Sequence, residues 1–418
     1  MKTTRRKFVQ TVGAGALGAG LAPRLAFGRA PAVRGGSGYD VAVVGAGVFG
    51  SWIALQLARS GRRVALVDAY GPANARSSSG GQTRVIRMGY GDKEIYSRWS
   101  LRSLELWKEL LTESARTTFF QKTGVLWMAR GMDPLTVQTL KTLERFGVPH
   151  ERLGRPELVA RWPQIDFGPI TWAILEPDSG FMMAFHAVQA TALRAEAMGA
   201  VYHPARVARP TAAGGRLDAL ATTAGDSLSA GSYVFACGPW LPKLFPGVLG
   251  DRFFVTRQEV FYLGPPAGDE RFRVGALPVW ADFGEEIYGL PDFKGRGFKI
   301  APDRHGAPID PDSLERVVSA EATARVLDYA GRRFPALEGA PIVNSEVCQY
   351  TNTSNGDFLI DRHPELDNVW LVGGGSGHGF KHGPAIGEYV AALVEGTRSV
   401  EARFSLATKQ TVQNRAVF

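Results

Sequence analysis

The chain has 418 residues, of which 45% are hydrophobic and 21% charged, and this length is sufficient for two domains. The composition excludes a disordered chain, a collagen and a small protein held together by disulfides. The net charge of +8 gives no support for nucleic-acid binding, because seven positive charges precede Asp40, the first acidic residue, and leave +1 for the rest of the chain.

Residues 1–31 have the pattern of a twin-arginine export signal. Arg5 and Arg6 are followed closely by Phe8 and by a mild apolar run over 12–22. That run is too short to span a bilayer and has the length of the apolar region of a signal peptide. We therefore predict export by the twin-arginine machinery to the periplasm or the medium, with no stable membrane span. The alternative is a basic, disordered tail.

The next segments form a dinucleotide-binding fingerprint. A valine-rich strand over 40–44 leads into three glycines spaced G-x-G-x-x-G, then into a helix, and then into a second strand over 63–67. Such glycines allow a tight turn, a close approach of the backbone to a pyrophosphate and helix–strand packing, and the acid after the second strand binds a ribose. The alternative is a glycine-rich turn in an unrelated α/β domain. The residues concerned are Gly45, Gly47, Gly50 and Asp68.

Two later segments favour FAD over NAD. A strand over 232–236 ends in a close turn, and a strand over 368–372 is followed by the glycine-rich loop 373–379 and a helix that begins near Pro384. A second helix N-terminus suits a cofactor with another end to bind, because the positive end of a helix stabilises the charge of a reduced flavin. The chain has no second strand–GxGxxG–helix unit for a nicotinamide cofactor, so we expect the substrate itself to supply the reducing equivalents.

Cys237 and Cys348 are the only cysteines of the chain. For an exported protein, a disulfide and two buried thiols both remain open at this point. Cys237 follows the apolar strand over 232–236, where a small buried residue is expected. Cys348 lies in the polar segment 346–353, which is an unusual place for an inert core thiol.

Several unusual motifs, in a fixed order along the chain, carry a family resemblance. From about residue 38 to the C-terminus, the sequence resembles the amine-oxidising branch of the D-amino-acid oxidase superfamily, which includes the monomeric sarcosine oxidases and the N-methyltryptophan oxidases. This set of motifs is far more specific than a dinucleotide fingerprint alone. Beside the fingerprint, the resemblance depends on 79–87, 288–291, 297–299, 348–353, Asp361 and 376–381.

The resemblance implies which residues bind the substrate and carry the reaction. Arg87 and Lys381 match the pair that holds the substrate carboxylate, a task that suits a guanidinium fork and an ammonium. Lys299 matches the lysine at which oxygen is reduced, where its charge would stabilise the developing negative charge. For all three residues the alternative is a solvated surface charge. The other implied positions at this site are Arg84, Tyr288 and Tyr350.

The same resemblance implies a covalently held FAD. Cys348 matches the cysteine that is attached to the 8-methyl group of the flavin. Where this chain has Gly80 and Asp303, the family often has histidine, so we expect a roomier and more acidic pocket. The seven histidines lack the spacing of a metal-ligand set. The further implied cofactor contacts are Ser79, Thr83, Thr351, Gly377 and Gly379.

We predict an α/β (α+β) fold, in which a Rossmann-type FAD-binding domain is interleaved with a substrate domain built on a mostly antiparallel sheet. The implied enzyme is a monomeric, FAD-dependent oxidase of a secondary or N-substituted α-amino acid that reduces oxygen to hydrogen peroxide. Two alternatives are a dehydrogenase that passes electrons to a quinone or carrier protein, and a non-catalytic flavoprotein subunit. The FAD-binding domain is assigned to 38–120, 185–245 and 342–418, and the substrate domain to 121–184 and 246–341.

Overall fold

The computed structural model of the chain describes residues 38–211 and 214–413. The predicted export signal, residues 1–31, lies outside the described residues. In chain order, the helices are α1 (Val48–Arg59), α2 (Glu94–Glu113), α3 (Pro134–Arg145), α4 (Arg155–Arg161), α5 (Ala184–Ala197), α6 (Leu241–Leu244), α7 (Pro246–Leu249), α8 (Ala320–Arg333) and α9 (Gly383–Val394).

The strands belong to two large sheets and two small ones. In chain order they are β1 (Tyr39–Val44), β2 (Val64–Asp68), β3 (Thr83–Ile86), β4 (Phe120–Gln121), β5 (Val125–Ala129), β6 (Glu151–Gly154), β7 (Trp172–Glu176), β8 (Gly180–Met183), β9 (Val201–Pro204), β10 (Leu220–Ala221), β11 (Ser227–Leu228), β12 (Ala230–Phe235), β13 (Phe253–Leu263), β14 (Val279–Asp282), β15 (Ile287–Leu290), β16 (Phe298–Pro302), β17 (Ile342–Thr353), β18 (Leu359–His363) and β19 (Leu366–Gly373).

The first large sheet has the order β18–β19–β12–β1–β2–β9, and all neighbouring strands are parallel except β18 and β19. Residues 41–44 of β1 are buried, as expected for a parallel strand that is covered on both faces. α1 packs on β1 and β2 and contacts α5 and α9. Trp52 of α1 meets Trp107 of α2 edge-on, with ring centroids 5.0 Å apart.

The second large sheet has the order β17–β13–β16–β15–β14–β5–β7–β6. Its pairs are antiparallel, apart from the parallel pair β14–β5. α8 covers one face, since its residues Val326, Tyr329 and Ala330 are buried in one cluster with Trp280 and Phe298 of the sheet. The opposite face of the sheet is not covered by α8, and it borders the candidate functional site described below.

The fold class predicted from the sequence is confirmed by this mixed α/β architecture. The strands predicted over 40–44, 63–67, 232–236 and 368–372 are β1, β2, β12 and β19 of the first sheet.

The division into domains stays a prediction, with one local difference in the structure. β17 opens the segment 342–418, which the sequence assigns to the FAD-binding domain, yet it pairs along its length with β13 of the second sheet. Within the described ranges, no helix has both the length and the apolar character needed to cross a membrane.

Candidate functional site

A cavity of about 430 Å³ lies at the carboxyl ends of β1, β2, β12 and β19. Open sheets of this type bind their ligands at that edge, so we call it the dinucleotide cavity. It gathers residues from many separate parts of the chain, between Val44 and Phe380. Of the cofactor contacts expected from the sequence, its lining includes Gly45, Gly47, Asp68, Ser79, Thr351, Gly377 and Gly379.

The first turn of this cavity is packed too tightly for side chains. Gly45 has φ +103°, and a Cβ there would lie 2.5 Å from the carbonyl oxygen of Ala236. A Cβ on Gly50 would lie only 1.7 Å from the carbonyl oxygen of Gly45. A Cβ added to Gly47 would lie 3.3 Å from the hydroxyl oxygen of Ser79. Gly50 itself does not line the cavity; its contact is with the turn that does.

Asp68 closes the second strand and is linked to the glycine turn. Its carboxylate accepts hydrogen bonds from the backbone N–H groups of Ala46 at 2.8 Å, Tyr70 at 2.8 Å and Gly71 at 2.9 Å. Burial raises the pKa of the Asp68 carboxyl, although these three N–H groups oppose the change. The carboxylate therefore lies at the cavity wall and holds the turn in place.

The lining fits a dinucleotide cofactor with a polar ring system. Ser78, Gln349 and Thr351 line the cavity, and each has a buried side-chain oxygen without a hydrogen-bond partner among the described residues. Buried polar atoms ordinarily have partners, so these oxygens mark places where a ligand would supply them. The loop 373–377 closes the same cavity together with Gly379 and Phe380, which precede helix α9.

A second cavity, of about 100 Å³, adjoins the first and is called the side cavity here. Both cavities are lined by Arg84, Tyr350, Ser376, Gly377 and Phe380, so a ligand in one can meet a ligand in the other. Six residues predicted at the reaction site or at the cofactor attachment line the side cavity. They are Arg84, Arg87, Tyr288, Cys348, Tyr350 and Lys381.

Arg87 and Lys381 come together on Tyr90. The guanidinium carbon of Arg87 lies 4.1 Å from the ring centroid of Tyr90 and 4.7 Å from that of Trp127. Lys381 is buried, and its Nζ donates to the Tyr90 hydroxyl at 2.8 Å and to the His378 carbonyl at 3.0 Å. The solvated alternative is therefore wrong for Lys381, and both cations border one cavity, as expected for a carboxylate-binding pair.

His382 lies behind this pair of cations. It is fully buried, with Nε2 2.8 Å from the Tyr90 hydroxyl. Burial, followed by the charges of Lys381 and Arg87, holds its pKa well below the usual range. A neutral imidazole adds no further positive charge next to Lys381, so the cationic character of the wall comes from Lys381 and Arg87.

A buried carboxylate holds the segment that carries Arg87. Glu176, at the end of β7, accepts hydrogen bonds from the backbone N–H of Met88 at 2.8 Å and of Gly89 at 2.9 Å, and from Trp127 Nε1 at 2.7 Å. Ser179 Oγ also donates to it. Glu176 thus fixes both the chain next to Arg87 and the indole on which the guanidinium lies.

Cys348 lies beside Arg84 at the junction of the cavities. Nη2 of Arg84 donates to the Cys348 sulfur at 3.3 Å and to the Ser78 carbonyl at 2.6 Å. Both cysteines are free thiols, so the disulfide alternative is wrong. Cys237 borders the dinucleotide cavity instead, and burial raises its pKa. The guanidinium of Arg84 therefore fixes the position of the Cys348 sulfur at the wall of the side cavity.

Tyr350, Tyr288 and Asp303 form one polar group in the side cavity. Tyr350 donates to Asp303 Oδ1 at 2.7 Å. Burial, followed by the charge of Asp303, raises the pKa of both phenols. The phenols therefore stay protonated at neutral pH and act as hydrogen-bond donors.

Lys299 is buried, with 2% of its surface exposed. Its Nζ donates to the carbonyl and the hydroxyl of Thr83, both at 3.1 Å, and lies 5.9 Å from the ring centroid of Tyr288. Burial, followed by the charge of Arg84, lowers its pKa to about 7. The solvated alternative is wrong for Lys299, although the residue stands behind the lining of both cavities and does not form part of it.

The expected effect of Gly80 on the pocket is wrong. Gly80 lines neither cavity, and a Cβ there would lie 2.0 Å from the carbonyl oxygen of Asn74. Glycine at this position therefore serves a tight turn and gives the pocket no extra room. Asp303 does line the side cavity, in agreement with the expected acidic character. Among residues 38–211 and 214–413, no cluster of His, Cys, Asp and Glu could hold a metal ion.

Three functional residues escaped sequence reasoning: Tyr90, Trp127 and Glu176. Tyr90 lies in a mixed segment and Trp127 in an apolar strand, and only tertiary contact with Arg87 distinguishes these two aromatic residues from others. Glu176 did leave a signal, since an acid ends the apolar run Trp172–Leu175 of a completely buried strand. A buried acid with several donors is a candidate for a structural or functional role.

The family model for FAD dependent oxidoreductases, DAO, matches residues 40–393. Similar curated proteins include a monomeric sarcosine oxidase of Streptomyces avermitilis, 33% identical over 85% of this chain and 93% of its own length. The human peroxisomal sarcosine oxidase is 29% identical over 85% of this chain and 92% of its own. An N-methyl-L-tryptophan oxidase of Citrobacter koseri is 28% identical over 86% of this chain and 95% of its own length.

Solved structures show the same fold. An L-proline dehydrogenase from P. horikoshii superposes with a TM-score of 0.76, at 24% identity, over 88% of this chain and 96% of its own. A fructosamine oxidase from Aspergillus fumigatus superposes with a TM-score of 0.74, at 22% identity, over 90% of this chain and 92% of its own.

Proposed function

The chain belongs to the DAO family of FAD-dependent oxidoreductases, and on this premise we propose that it oxidises a secondary or N-substituted α-amino acid of the sarcosine type. The similar curated proteins act on sarcosine or N-methyl-L-tryptophan by name. Both are N-methylated amino acids with a free carboxylate. The proposal extends that common chemistry to this chain.

One observation carries the proposal: Arg87 and Lys381 border the side cavity together, and that cavity adjoins the dinucleotide cavity. Two cations on one wall suit a carboxylate, and a bound carboxylate fixes the orientation of the adjacent amine. When bound, FAD supplies the two-electron chemistry of C–N bond oxidation. The residues of the chain bind and orient the substrate at the junction of the cavities and keep its surroundings dry.

We also propose oxygen as the electron acceptor and hydrogen peroxide as its product. Lys299 supports this reading because a buried ammonium stabilises the negative charge that oxygen gains with an electron. A dehydrogenase with a quinone or a carrier protein as acceptor remains the competing proposal. Peroxide formed in air, in an amount equal to the amine consumed, would support oxygen; amine oxidation with an added quinone but no peroxide would support the dehydrogenase.

Covalent attachment of FAD through Cys348 is proposed as well. Attachment would form an S–C bond and break one S–H bond and one C–H bond of the 8-methyl group, and oxygen would take up the two electrons and two protons as hydrogen peroxide. Arg84 supports it, since Nη2 of its guanidinium lies 3.3 Å from the Cys348 sulfur and holds it at the wall of the side cavity, next to the dinucleotide cavity. We expect the yellow colour to stay with acid-precipitated, unfolded protein, and to be lost in Cys348→Ser. Complete release of flavin from the wild type by acid would contradict the proposal.

Export by the twin-arginine route belongs to the same proposal. Only the sequence pattern of residues 1–31 supports it. Periplasmic recovery of the full chain, and its retention in the cytoplasm after Arg5 and Arg6 are both replaced by lysine, would test this part.

The deciding experiment is anaerobic reduction of the bound flavin by a panel of amines. The panel pairs sarcosine, N-methyl-L-tryptophan and L-proline with methylated amines that lack the carboxylate. We expect loss of the flavin absorbance with at least one carboxylated amine and a much slower loss with its uncarboxylated partner. If no amine reduces the flavin, the chain is a non-catalytic flavoprotein and the proposed function is wrong.

A further inference from the structure

Two cations share one carbonyl oxygen beside the side cavity. Nη1 of Arg84 donates to the Thr83 carbonyl at 2.7 Å, and Nζ of Lys299 donates to the same oxygen at 3.1 Å. The two nitrogens are therefore at most 5.8 Å apart, the sum of these distances. An arginine keeps its charge in proteins, so the repulsion between the two groups favours loss of the proton from Lys299.

Glu346 brings a carboxylate to the same place. Alternate residues of a strand point to one face, and Cys348 and Tyr350, two and four residues beyond Glu346 on β17, both line the side cavity. A Cβ added to Gly81 would lie 2.7 Å from Nη1 of Arg84 and 3.2 Å from Oε2 of Glu346. These two atoms are therefore at most 5.9 Å apart, the sum of these distances, and the carboxylate stands next to the guanidinium.

Tyr262 connects Glu346 with Lys299 across three neighbouring strands. Tyr262 of β13 is paired in register with Lys299 of β16, so their side chains lie on the same face of the sheet. The Tyr262 hydroxyl donates to Oε1 of Glu346 on β17 at 3.5 Å. Tyr262 and Lys299 each expose 2% of their surface, so little water screens the charges that surround them.

The charges around Lys299 act in opposite directions. Burial, followed by the charge of Arg84, lowers the pKa of Lys299 to about 7, and the negative charges of Glu346 and Cys348 oppose this change. In the covalent attachment proposed above, the Cys348 sulfur is bonded to the flavin and carries no charge. The carboxylate of Glu346 then remains to oppose the loss of the lysine proton.

The other titratable groups that face Lys299 are phenols. Tyr262 lies beside it on β13, and the ring of Tyr288 on β15 lies 5.9 Å from its Nζ. Burial raises the pKa of both phenols, so both are neutral at the pH at which Lys299 titrates. Neither phenol compensates the charge of the lysine.

We propose that Glu346 is a positioning residue for the reduction of oxygen: its carboxylate balances the charge of Arg84 and so keeps Lys299 an ammonium. This inference rests on the proposed function and deepens the role of Lys299 in it. Oxygen takes up two electrons and two protons to become hydrogen peroxide, and the first electron gives it a negative charge that an ammonium stabilises. Glu346 itself lines neither cavity and acts only through the lysine.

The first test measures reoxidation in air of holoenzyme reduced with dithionite, which requires no amine substrate. In the wild type, the rate should fall as the pH rises through about 7. In Glu346→Gln we expect this midpoint to move down by about one pH unit, because a nearby negative charge is lost. At pH 7 the variant should then reoxidise about fivefold more slowly than the wild type, and near pH 5 the two rates should converge.

Rescue by acid separates charge from structure. A general disturbance of the site would lower the rate of Glu346→Gln equally at every pH, and this result would overturn the inference, as would an unchanged midpoint. Glu346→Asp keeps the charge and should keep a midpoint near 7. Should Glu346→Gln fail to fold, Glu346→Thr gives the same comparison.

Two further variants serve as controls. Glu151→Gln removes a carboxylate from β6, at the far edge of the same sheet, where Glu151 pairs with Arg161 at the surface, and its midpoint should equal that of the wild type. Tyr262→Phe keeps the ring and removes the hydrogen bond to Glu346, so its midpoint should also stay near 7. If Tyr262→Phe moves the midpoint as far as Glu346→Gln does, the hydrogen bond controls Lys299 and the inference is overturned.

The second test follows the charge of Lys299 directly, without oxygen. Holoenzyme labelled with ¹³C-lysine is titrated by NMR, and the Lys299 Cε signal is identified by its absence in Lys299→Met. We expect a midpoint near 7 in the wild type and a midpoint lower by about one unit in Glu346→Gln. Identical titrations in the two proteins would overturn the inference.

Lys299→Met distinguishes failure of this inference from failure of the proposed function. If Lys299→Met reoxidises as fast as the wild type, Lys299 does not serve oxygen reduction and the inference falls with that proposal. If Lys299→Met reoxidises slowly but no amine reduces the flavin, the proposed substrate class is wrong. The pH midpoints of the dithionite-reduced proteins then still decide the role of Glu346.

Discussion

The dinucleotide cavity and the side cavity are built from different parts of the peptide. The first depends on strand ends and on turns that contain glycine, at positions 45, 47 and 377. The second is made of charged and aromatic side chains from separate elements, such as Arg87, Trp127 and Lys381. A change in the first cavity therefore threatens the fold and cofactor binding, whereas a change in the second alters affinity and rate.

The largest effect is expected for Gly50→Ala. The added Cβ would lie 1.7 Å from the carbonyl oxygen of Gly45, and backbone cannot move aside as a flexible side chain can. Overpacking usually costs about 1–3 kcal/mol and sometimes more, and we expect a cost above that range. Thermal unfolding and FAD content of the purified protein measure it.

Gly247→Ala is the matched control for that change. Gly247 lies in α7, and nothing is within 4 Å of its added Cβ. We expect an unchanged or slightly higher Tm, because alanine favours a helix by about 0.5–1 kcal/mol over glycine. If Gly50→Ala unfolds at the same temperature as this control, the turn is not as tightly packed as the structure indicates.

The next largest effect is expected when a positive charge is removed from the side cavity. Arg87→Ala and Lys381→Ala each remove one partner of a desolvated carboxylate, which costs about 2–5 kcal/mol of binding. We expect kcat/KM for a carboxylated amine to fall by about 30-fold or more, while an amine without the carboxylate changes little. Lys122→Ala, which removes an exposed lysine paired with Asp178, should have no such effect. Equal losses for both amines would remove Arg87 and Lys381 from carboxylate binding.

Lys299→Met tests a residue that stands behind both cavities. Substrate oxidation has no need of a cation at this place, whereas oxygen reduction does. We expect anaerobic reduction of the flavin by the amine at nearly the wild-type rate, and reoxidation in air slower by roughly 10²–10³. Stopped-flow absorbance measures both steps. Unchanged reoxidation would favour the dehydrogenase over the oxidase.

The pH dependence of reoxidation gives a second check on Lys299. Burial and the charge of Arg84 lower its pKa to about 7, so the ammonium is present below this pH and is lost above it. We therefore expect the wild-type reoxidation rate to fall as the pH rises through about 7. In Lys299→Met the rate should be low and should lack this step. A wild-type rate that rises over the same interval would contradict the assignment.

The same contrast explains how much could be predicted from the sequence. The glycine turn and the acid at residue 68 follow from a local pattern, because neighbouring residues build that turn. β1 and β2 lie within one residue of their predicted bounds, and α1 is the helix predicted between them. The side cavity depends on contacts between distant segments, such as Arg87 with Trp127 and Glu176 with Met88. The spacing of residues along the chain does not indicate such contacts.

The error at Gly80 has the same origin. A missing side chain was expected to leave room in a pocket, but the space is filled by the carbonyl oxygen of Asn74. Asp303, in contrast, directly follows the end of β16 and does line the side cavity. A substitution seen in the sequence therefore has a functional meaning only when the fold shows which surface it faces.

The smallest effect is expected for Glu176→Gln, which tests whether a buried polar group shapes the side cavity from behind. The carboxylate accepts from Met88 and Gly89 N–H through different oxygens and also from Trp127 Nε1. A glutamine amide presents N–H groups to at least one of these donors, and an unsatisfied buried donor costs about 1–3 kcal/mol. The loss should shift the segment after Arg87 and the indole beneath it, and so raise KM for a carboxylated amine about three- to tenfold with little change in kcat. Ser179→Ala removes one donor to Glu176 and leaves the carboxylate, so its KM should stay near the wild-type value. If Glu176→Gln lowers Tm but leaves the preference for carboxylated over uncarboxylated amines intact, Glu176 supports the fold alone and has no part in positioning Arg87.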